Sequence, residues 1–231
     1  VKGLLEGGSP TGKLTVKWDG APAIICGIDP EDGKFFVGTK AVFNVKEKKR
    51  AKTTADIKSM YAGKGDLEDK LTLALQLLPK LGIGTVVQGD FLFGPGDVEQ
   101  DTVGDEECHT FTPNTLTYAV PVKSDIGKRI AKAKIGIVFH TEYTGDTLDE
   151  MTANFGYSVN GLQKTSDVWF DDANYKDVSG IATLTGEEEA KIDNELDRGR
   201  TTLKKVGTKM NKVLEFAEFS KFIKPFINAN V

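Results

Sequence analysis

The strongest constraint on this chain is a change of pattern near Gly186. Up to about residue 180 the sequence is a series of short apolar runs broken by turn signals. From Glu187 to Lys205, and again from Met210 to Ile223, it is charged or amphipathic with helical spacing. Runs of strands followed by runs of helices point to an α+β protein. We expect a strand-rich domain over 1–183 and a helical subdomain or insertion over 184–231. The 231 residues suffice for one large domain with a small appendage, and 39% hydrophobic content suffices for a sizeable core.

Several elements can be placed. Asp29-Pro30-Glu31-Asp32-Gly33 is a strong turn signal joining Ile24–Ile28 to Lys34–Thr39 as an antiparallel hairpin. Leu67, Leu71, Leu75 and Leu78 have helical spacing, with Gly82 as a stop. Thr85–Phe93, interrupted at Gly89-Asp90, and the runs Thr115–Val122 and Lys134–Tyr143 read as strands. Lys46–Lys52 and the acidic Asp97–His109 read as surface loops. Val159–Ile181 reads as irregular, with a short strand at Val168-Trp169-Phe170.

Composition excludes some function classes. No apolar run reaches the roughly 20 residues that span a bilayer, so no membrane partner is expected. The start lacks the apolar stretch of a signal peptide and an initiator methionine, which suggests a fragment of a longer product. Cys26 and Cys108 are too few for a disulfide framework, and a reducing, cytoplasmic setting is expected. A net charge of −4 provides no global field for nucleic acid, so any such role needs a local basic patch. Gly7–Leu14 imitates a phosphate-binding P-loop, but Leu14 stands where a hydroxyl is needed and a strand follows. His109 and His140 are the only histidines, no Cys/His cluster has zinc-ligand spacing, and His140, in a strand, reads as structural.

One run carries chemistry. Leu14-Thr15-Val16-Lys17-Trp18-Asp19-Gly20 is an apolar strand delivering a lysine to a turn. A lysine attacks well only when its pKa is lowered or positive charge lies near it, and a partly closed pocket at a strand end can supply that. Asp19 could orient Lys17, a metal-bound water or a ribose, and Gly20 permits close approach of backbone to ligand. On a plainer reading Lys17 is a strand-end lysine beside a turn. Likewise Gly89-Asp90 is a bulge, Lys40 a surface lysine and Tyr118 a core aromatic.

The run Val16–Ala23 resembles motif I of the covalent nucleotidyltransferases, the ATP-dependent RNA and DNA ligases and the capping enzymes, with spacing closest to RNA ligases. Phe35–Lys40 lies where that superfamily places a basic residue, here Lys40. Thr85–Phe91 resembles motif III, with Asp90 in place of the usual glutamate. Thr115–Val120 resembles motif IIIa, whose aromatic would be Tyr118. The resemblance implies a domain of antiparallel sheets around a nucleotide cleft. Lys17 and Asp19 would be catalytic, and Gly20, Lys40, Asp90 and Tyr118 would bind nucleotide. It further implies ATP with Mg²⁺ or Mn²⁺, metal ligands unassigned, and transfer of AMP from Lys17 to a nucleic-acid 5′-phosphate. Lys134–Tyr143 is similar to uncharacterised tailed-phage proteins, which would place the chain in a host cytoplasm.

The departures are definite. No Glu-Gly-x-Val or Asp-Gly-x-Val run follows as motif IV, and no Lys-x-Lys strand follows as motif V. Pro22 and Ala23 stand near where an arginine is usual. Two expectations stay open: an active nucleotidyltransferase whose remaining motifs lie beyond Val231, or a degenerate ligase-fold module that binds nucleotide, nucleic acid or a phage structural partner.

Overall fold

A computed structural model describes residues 15–175, 185–206 and 221. The chain divides into two compact units, Pro10–Lys176 and a second made of Val1–Ser9 with Asp177–Val231. The glycine-rich start, and the helix expected over Met210–Ile223 apart from Lys221, lie outside the described residues.

The larger unit is α+β and built on a six-stranded sheet. Strands β1 (Ala23–Ile28), β2 (Phe35–Gly38), β3 (Val86–Phe93), β7 (Ile135–Thr144) and β8 (Thr152–Phe155) follow the order β2-β1-β3-β7-β8. All these neighbours are antiparallel. β9 (Val168–Asp172) runs parallel to the first half of β7, while β8 takes the second half. The expected hairpin is present, closed by the Asp29–Gly33 turn, where Gly33 N–H donates to the Asp29 carbonyl.

Side-chain alternation sorts the sheet into two faces. Ile24 and Cys26 of β1, Val87 and Phe91 of β3, Ile137 and Phe139 of β7, and Phe170 of β9 point one way. They meet Leu71, Ala74 and Leu77 of a helix (α2, Asp66–Leu77) and Leu78 and Leu81 of the 3-10 turn that extends it. The helix ends because Gly82 takes a left-handed conformation, φ 72°. Each fully buried leucine or phenylalanine here contributes about 1.5–3 kcal/mol. A shorter helix, α1 (Thr54–Met60), starts on a capping box between Thr53 and Asp56.

The segment Asp97–His109 is not a loop. It forms most of a second, three-stranded antiparallel sheet of β4 (Glu99–Val103), β5 (Glu106–Phe111) and β6 (Tyr118–Pro121). Every residue of β4 is exposed, so no apolar alternation marks it. The second sheet joins the opposite face of the main sheet through Phe111, which packs with Phe93, Val138 and Trp169. Helix α3 (Asp125–Ile130) packs Ile130 into the same cluster, and Ser124 caps it by accepting from Gly127 N–H.

The run Lys46–Lys52 is charged but not free. Ala51 is buried and bridges Val37, and Arg50 and Lys52 both reach the fully buried Asp29, at 2.9 and 2.6 Å. In the smaller unit, α4 (Gly186–Val206) is a highly charged helix with Glu187, Glu188 and Glu189 in its first turn and Lys204 and Lys205 in its last. Both groups suit the helix dipole. No described helix is long and apolar enough to cross a membrane.

Candidate functional site

The face of the main sheet opposite the helical core carries an open cleft of about 370 Å³. That volume falls in the range of small-molecule sites. Its floor comes from alternate positions of three strands: Ala23 of β1, Gln88 and Asp90 of β3, Val138 and His140 of β7. The outward parity that puts Ile25 and Val86 into a small apolar cluster on this face also points Ala23, Gln88 and Asp90 into the cleft.

Lys17 reaches the cleft from the segment ahead of β1. That segment is fixed at both ends. Thr15 bridges Asn174 and Val16 N–H donates to the Ala173 carbonyl at 2.7 Å. Further on, Ala21 N–H donates to the Phe91 carbonyl, and Phe91 N–H to the Pro22 carbonyl. Gly20 lies so close to β3 that an added Cβ would stand 2.6 Å from Asp90 Cβ. Glycine is required here by the close approach of two backbones.

Lys40 arrives from the end of β2. Thr39 caps the 3-10 turn Lys40–Phe43 by accepting from Ala41 N–H, and Tyr61 Oη accepts from Thr39 N–H at 3.2 Å. Lys17 and Lys40 are both exposed and both line the cleft. Among the described residues neither forms an ion pair or hydrogen bond.

Asp19 and Tyr118 do not line the cleft. Instead they lock the segment that presents Lys17, which is neither the expected strand nor a turn: beyond the isolated Thr15 bridge, residues 16–20 have no regular structure. Asp19 Oδ1 accepts from Asn114 Nδ2 at 2.8 Å, and Oδ2 accepts from Thr115 N–H at 2.7 Å and Leu116 N–H at 2.8 Å. Its own N–H donates to Tyr118 Oη at 2.7 Å. The hydrogen bond from Asn114, then those from the Leu116 and Thr115 amides, hold the Asp19 carboxyl below its usual range, and the charge of Lys17 adds to this. Asp19 therefore clasps the loop between β5 and β6 of the second sheet to the segment that carries Lys17.

The aromatic wall of the cleft is Trp18, with Tyr118 stacked on it at 5.4 Å and 27°. Tyr118 in turn stacks on Phe111 at 5.5 Å, and Phe111 packs on Phe93 at 5.1 Å. Indirectly, then, the residue expected to meet a base supports the residue that faces the cleft. A second aromatic, Phe155 of β8, stands at the same cleft and is 68% exposed. β8 carries no apolar pattern, so nothing in the sequence singled out Phe155.

His140 is the other residue that sequence reasoning missed. The β3–β7 pairing slips between Gln88 and Gly89: Gln88 faces Thr141, but Gly89 faces Phe139. His140 is thus the extra residue of a β-bulge, a feature common beside functional sites. Its Nε2 lies 3.7 Å from Asp90 Oδ1, and its Nδ1 lies 2.7 Å from Thr141 Oγ1. His109 is buried in β5, away from the cleft.

Cys26 is fully buried, and burial pushes its thiol far up, which leaves it unreactive. Among the described residues no group of three His, Cys, Asp or Glu side chains is placed to hold a metal ion. Among the described residues, Asp90 is the only carboxylate that lines the cleft.

Taken together, the cleft offers two cations that form no ion pair among the described residues, one carboxylate beside an imidazole, and two partly exposed aromatic rings. This set suits an anionic ligand that also has a flat ring and hydroxyl groups. The chain matches, over residues 1–231, the model of a family of unknown function, DUF6267, and belongs to that family. No curated protein and no solved structure gives a significant match.

Proposed function

We propose that this member of DUF6267 is a covalent nucleotidyltransferase of the ATP-dependent ligase type. One observation carries the reading. Lys17, Lys40 and Asp90, separated by 23 and 50 positions in the chain, line one cleft, and Trp18 forms its wall.

The residues divide the work. Lys40 faces the triphosphate as a fixed positive charge. Trp18 and Phe155 take the base, Asp90 accepts from the ribose, and Lys17 Nζ is the nucleophile. In its unprotonated form Lys17 attacks the α-phosphorus of ATP. The N–P bond forms, the bond from the α-phosphorus to the bridging oxygen breaks, and pyrophosphate leaves with that electron pair. The lysine nitrogen sheds a proton to solvent as the phosphoramidate forms. A divalent cation, carried in on the triphosphate, neutralises charge on the phosphate oxygens. Lys40 supports the same charge from the protein side. In a complete ligation AMP then passes from Lys17 to a 5′-phosphate end of RNA or DNA.

The test is intact mass spectrometry after incubation with ATP and Mg²⁺. The expected outcome is the gain of one AMP by the parent protein and none by Lys17→Ala. A Lys17→Ala protein that still gains AMP overturns the assignment. No gain in the parent with any of the four ribonucleoside triphosphates, on protein shown to be free of prior AMP, leaves a nucleotide-binding module without covalent chemistry.

A further inference from the structure

We propose that His140 is a positioning residue for Asp90 and sets the carboxylate that selects a ribonucleotide over a deoxyribonucleotide. The inference rests on the reading above only in taking the ligand to be a nucleoside triphosphate.

The backbone supplies the first reason. In an unbroken antiparallel register His140 would face Gln88 directly across the strands, two positions along from the Val138–Asp90 pair. The bulge makes it an extra residue, and its ring turns toward Asp90. Gly89, on the opposite face, makes the slip possible. A Cβ there would lie 2.7 Å from the Val138 carbonyl oxygen and 3.0 Å from the Phe139 ring. The two strands therefore approach more closely at this point than any larger residue would allow.

Hydrogen-bond chemistry supplies the second. Thr141 is 2% exposed, so its hydroxyl needs an internal partner, and the one it has is His140 Nδ1. When the hydroxyl donates to Nδ1, the ring proton sits on Nε2, facing Asp90 Oδ1. At 3.7 Å the contact is longer than a closed hydrogen bond, as is common in unliganded sites before a substrate draws the groups together. The Asp90 and His140 side chains are 21% and 24% exposed, open to a ligand and partly shielded from water.

A carboxylate is an acceptor only, and two ribose hydroxyls are donors that compete with water for it. If one carboxylate oxygen is fixed by His140, the other is turned toward the ribose. A site built to bond a hydroxyl discriminates strongly against the analogue that lacks it.

The experiment measures equilibrium binding of ATP, 2′-deoxy-ATP and 3′-deoxy-ATP, each with Mg²⁺, to the Lys17→Ala protein, in which no covalent step competes. Further substitutions at His140 and Asp90 are added to that background. One or both deoxy analogues should bind about tenfold more weakly than ATP. Asp90→Ala should bring all three nucleotides to the same affinity, and His140→Ala should do nearly the same. His140→Gln, whose amide can donate in place of Nε2–H, should restore a part of the preference. A purely structural role for His140 would weaken all three nucleotides equally. That result, or a full ribose preference surviving in His140→Ala, or the absence of nucleotide binding, overturns the proposal. Adduct formation by the Lys17-containing protein is scored separately. Ribose selectivity without adduct overturns only the covalent reading. Adduct with selectivity indifferent to His140 overturns only this inference.

Discussion

The tip of the β1–β2 hairpin and the mouth of the cleft are both rich in charge, and they use it in opposite ways. At the hairpin, Asp29 is fully buried and meets Arg50 and Lys52, which also reach Glu31 and Asp32 at 3.0 and 2.7 Å. Each of those cations is already neutralised within the protein. At the cleft, Lys17 and Lys40 have no such partner among the described residues. Charge satisfied internally stabilises a turn, whereas uncommitted charge is available to a ligand. The difference also explains why the dense basic run at 46–52, which looks like the natural anion-binding patch, is committed elsewhere. Lys48 joins Asp149 at 2.7 Å and Lys49 donates to the Met60 carbonyl, so most of that run holds the fold.

The sharpest way to break this contrast is to remove a charge from each region. Asp29→Ala should cost about 3 kcal/mol, because it leaves two partly buried cations facing an emptied site. Lys17→Ala and Lys40→Ala should each change stability by less than about 0.5 kcal/mol, as exposed residues with no ion pair among the described residues do. Urea unfolding of the three variants measures this. If Lys40→Ala proves as destabilising as Asp29→Ala, the cleft lysines are structural and the contrast fails.

A smaller effect concerns the geometry that brings the cleft groups together. Gly89→Ala should destabilise by about 1–3 kcal/mol, since its Cβ would meet the Val138 carbonyl. Nucleotide affinity should fall alongside stability, because β7 must move away from β3 and take His140 with it. Binding measured well below the unfolding midpoint separates the two effects. Unchanged affinity in a folded Gly89→Ala protein would show that the bulge does not govern the site.

The smallest effect is on pH dependence, and it also divides the regions. The folded-state Asp19 carboxyl is held below its usual range, so its contribution to stability is full above about pH 4 and is lost as pH falls through that lowered value. Lys52 behaves oppositely. Burial works to lower its pKa, but hydrogen bonds to Asp29 and Asp32 prevail and raise it. Its contribution is full below about pH 10 and is lost as pH rises through the raised value. Thermal unfolding across pH should therefore show Asp19→Ala flattening only the acid limb and Lys52→Met flattening the alkaline limb. An acid limb unchanged in Asp19→Ala would show that the clasp adds nothing to stability.

What could be read from the sequence follows how strongly each element is patterned. The β1–β2 hairpin, β3, β7 and α2 all have one face in the core, and their apolar spacing announces it. β4 and β8 have no buried residue, so main-chain pairing makes them strands without any signal in the side chains. Helix α1 carries a weaker signal: Thr53 and Asp56 stand at capping-box spacing, with aspartate where glutamate is usual. At the site, order along the chain was enough to associate Lys17, Lys40 and Asp90. His140 could not be found that way, because its position depends on a one-residue slip between strands. Trp18, rather than Tyr118, lines the cleft, because the sequence does not say which of two stacked rings lies on the open side.

The clasp on Asp19 has a consequence for how this family can vary. Of the three donors to the carboxylate, two are main-chain amides, those of Thr115 and Leu116. An amide does not depend on the side chain beside it. Positions 115 and 116 can therefore drift through most of the amino-acid alphabet while the Lys17 segment stays in place, and only proline, which has no N–H, is barred. Asp19 has no such latitude, because its partners require two acceptor oxygens at one place. Related sequences should keep the aspartate and diverge freely in the loop that grips it, so that the least changeable contact of this segment has a partner that looks, residue by residue, unimportant.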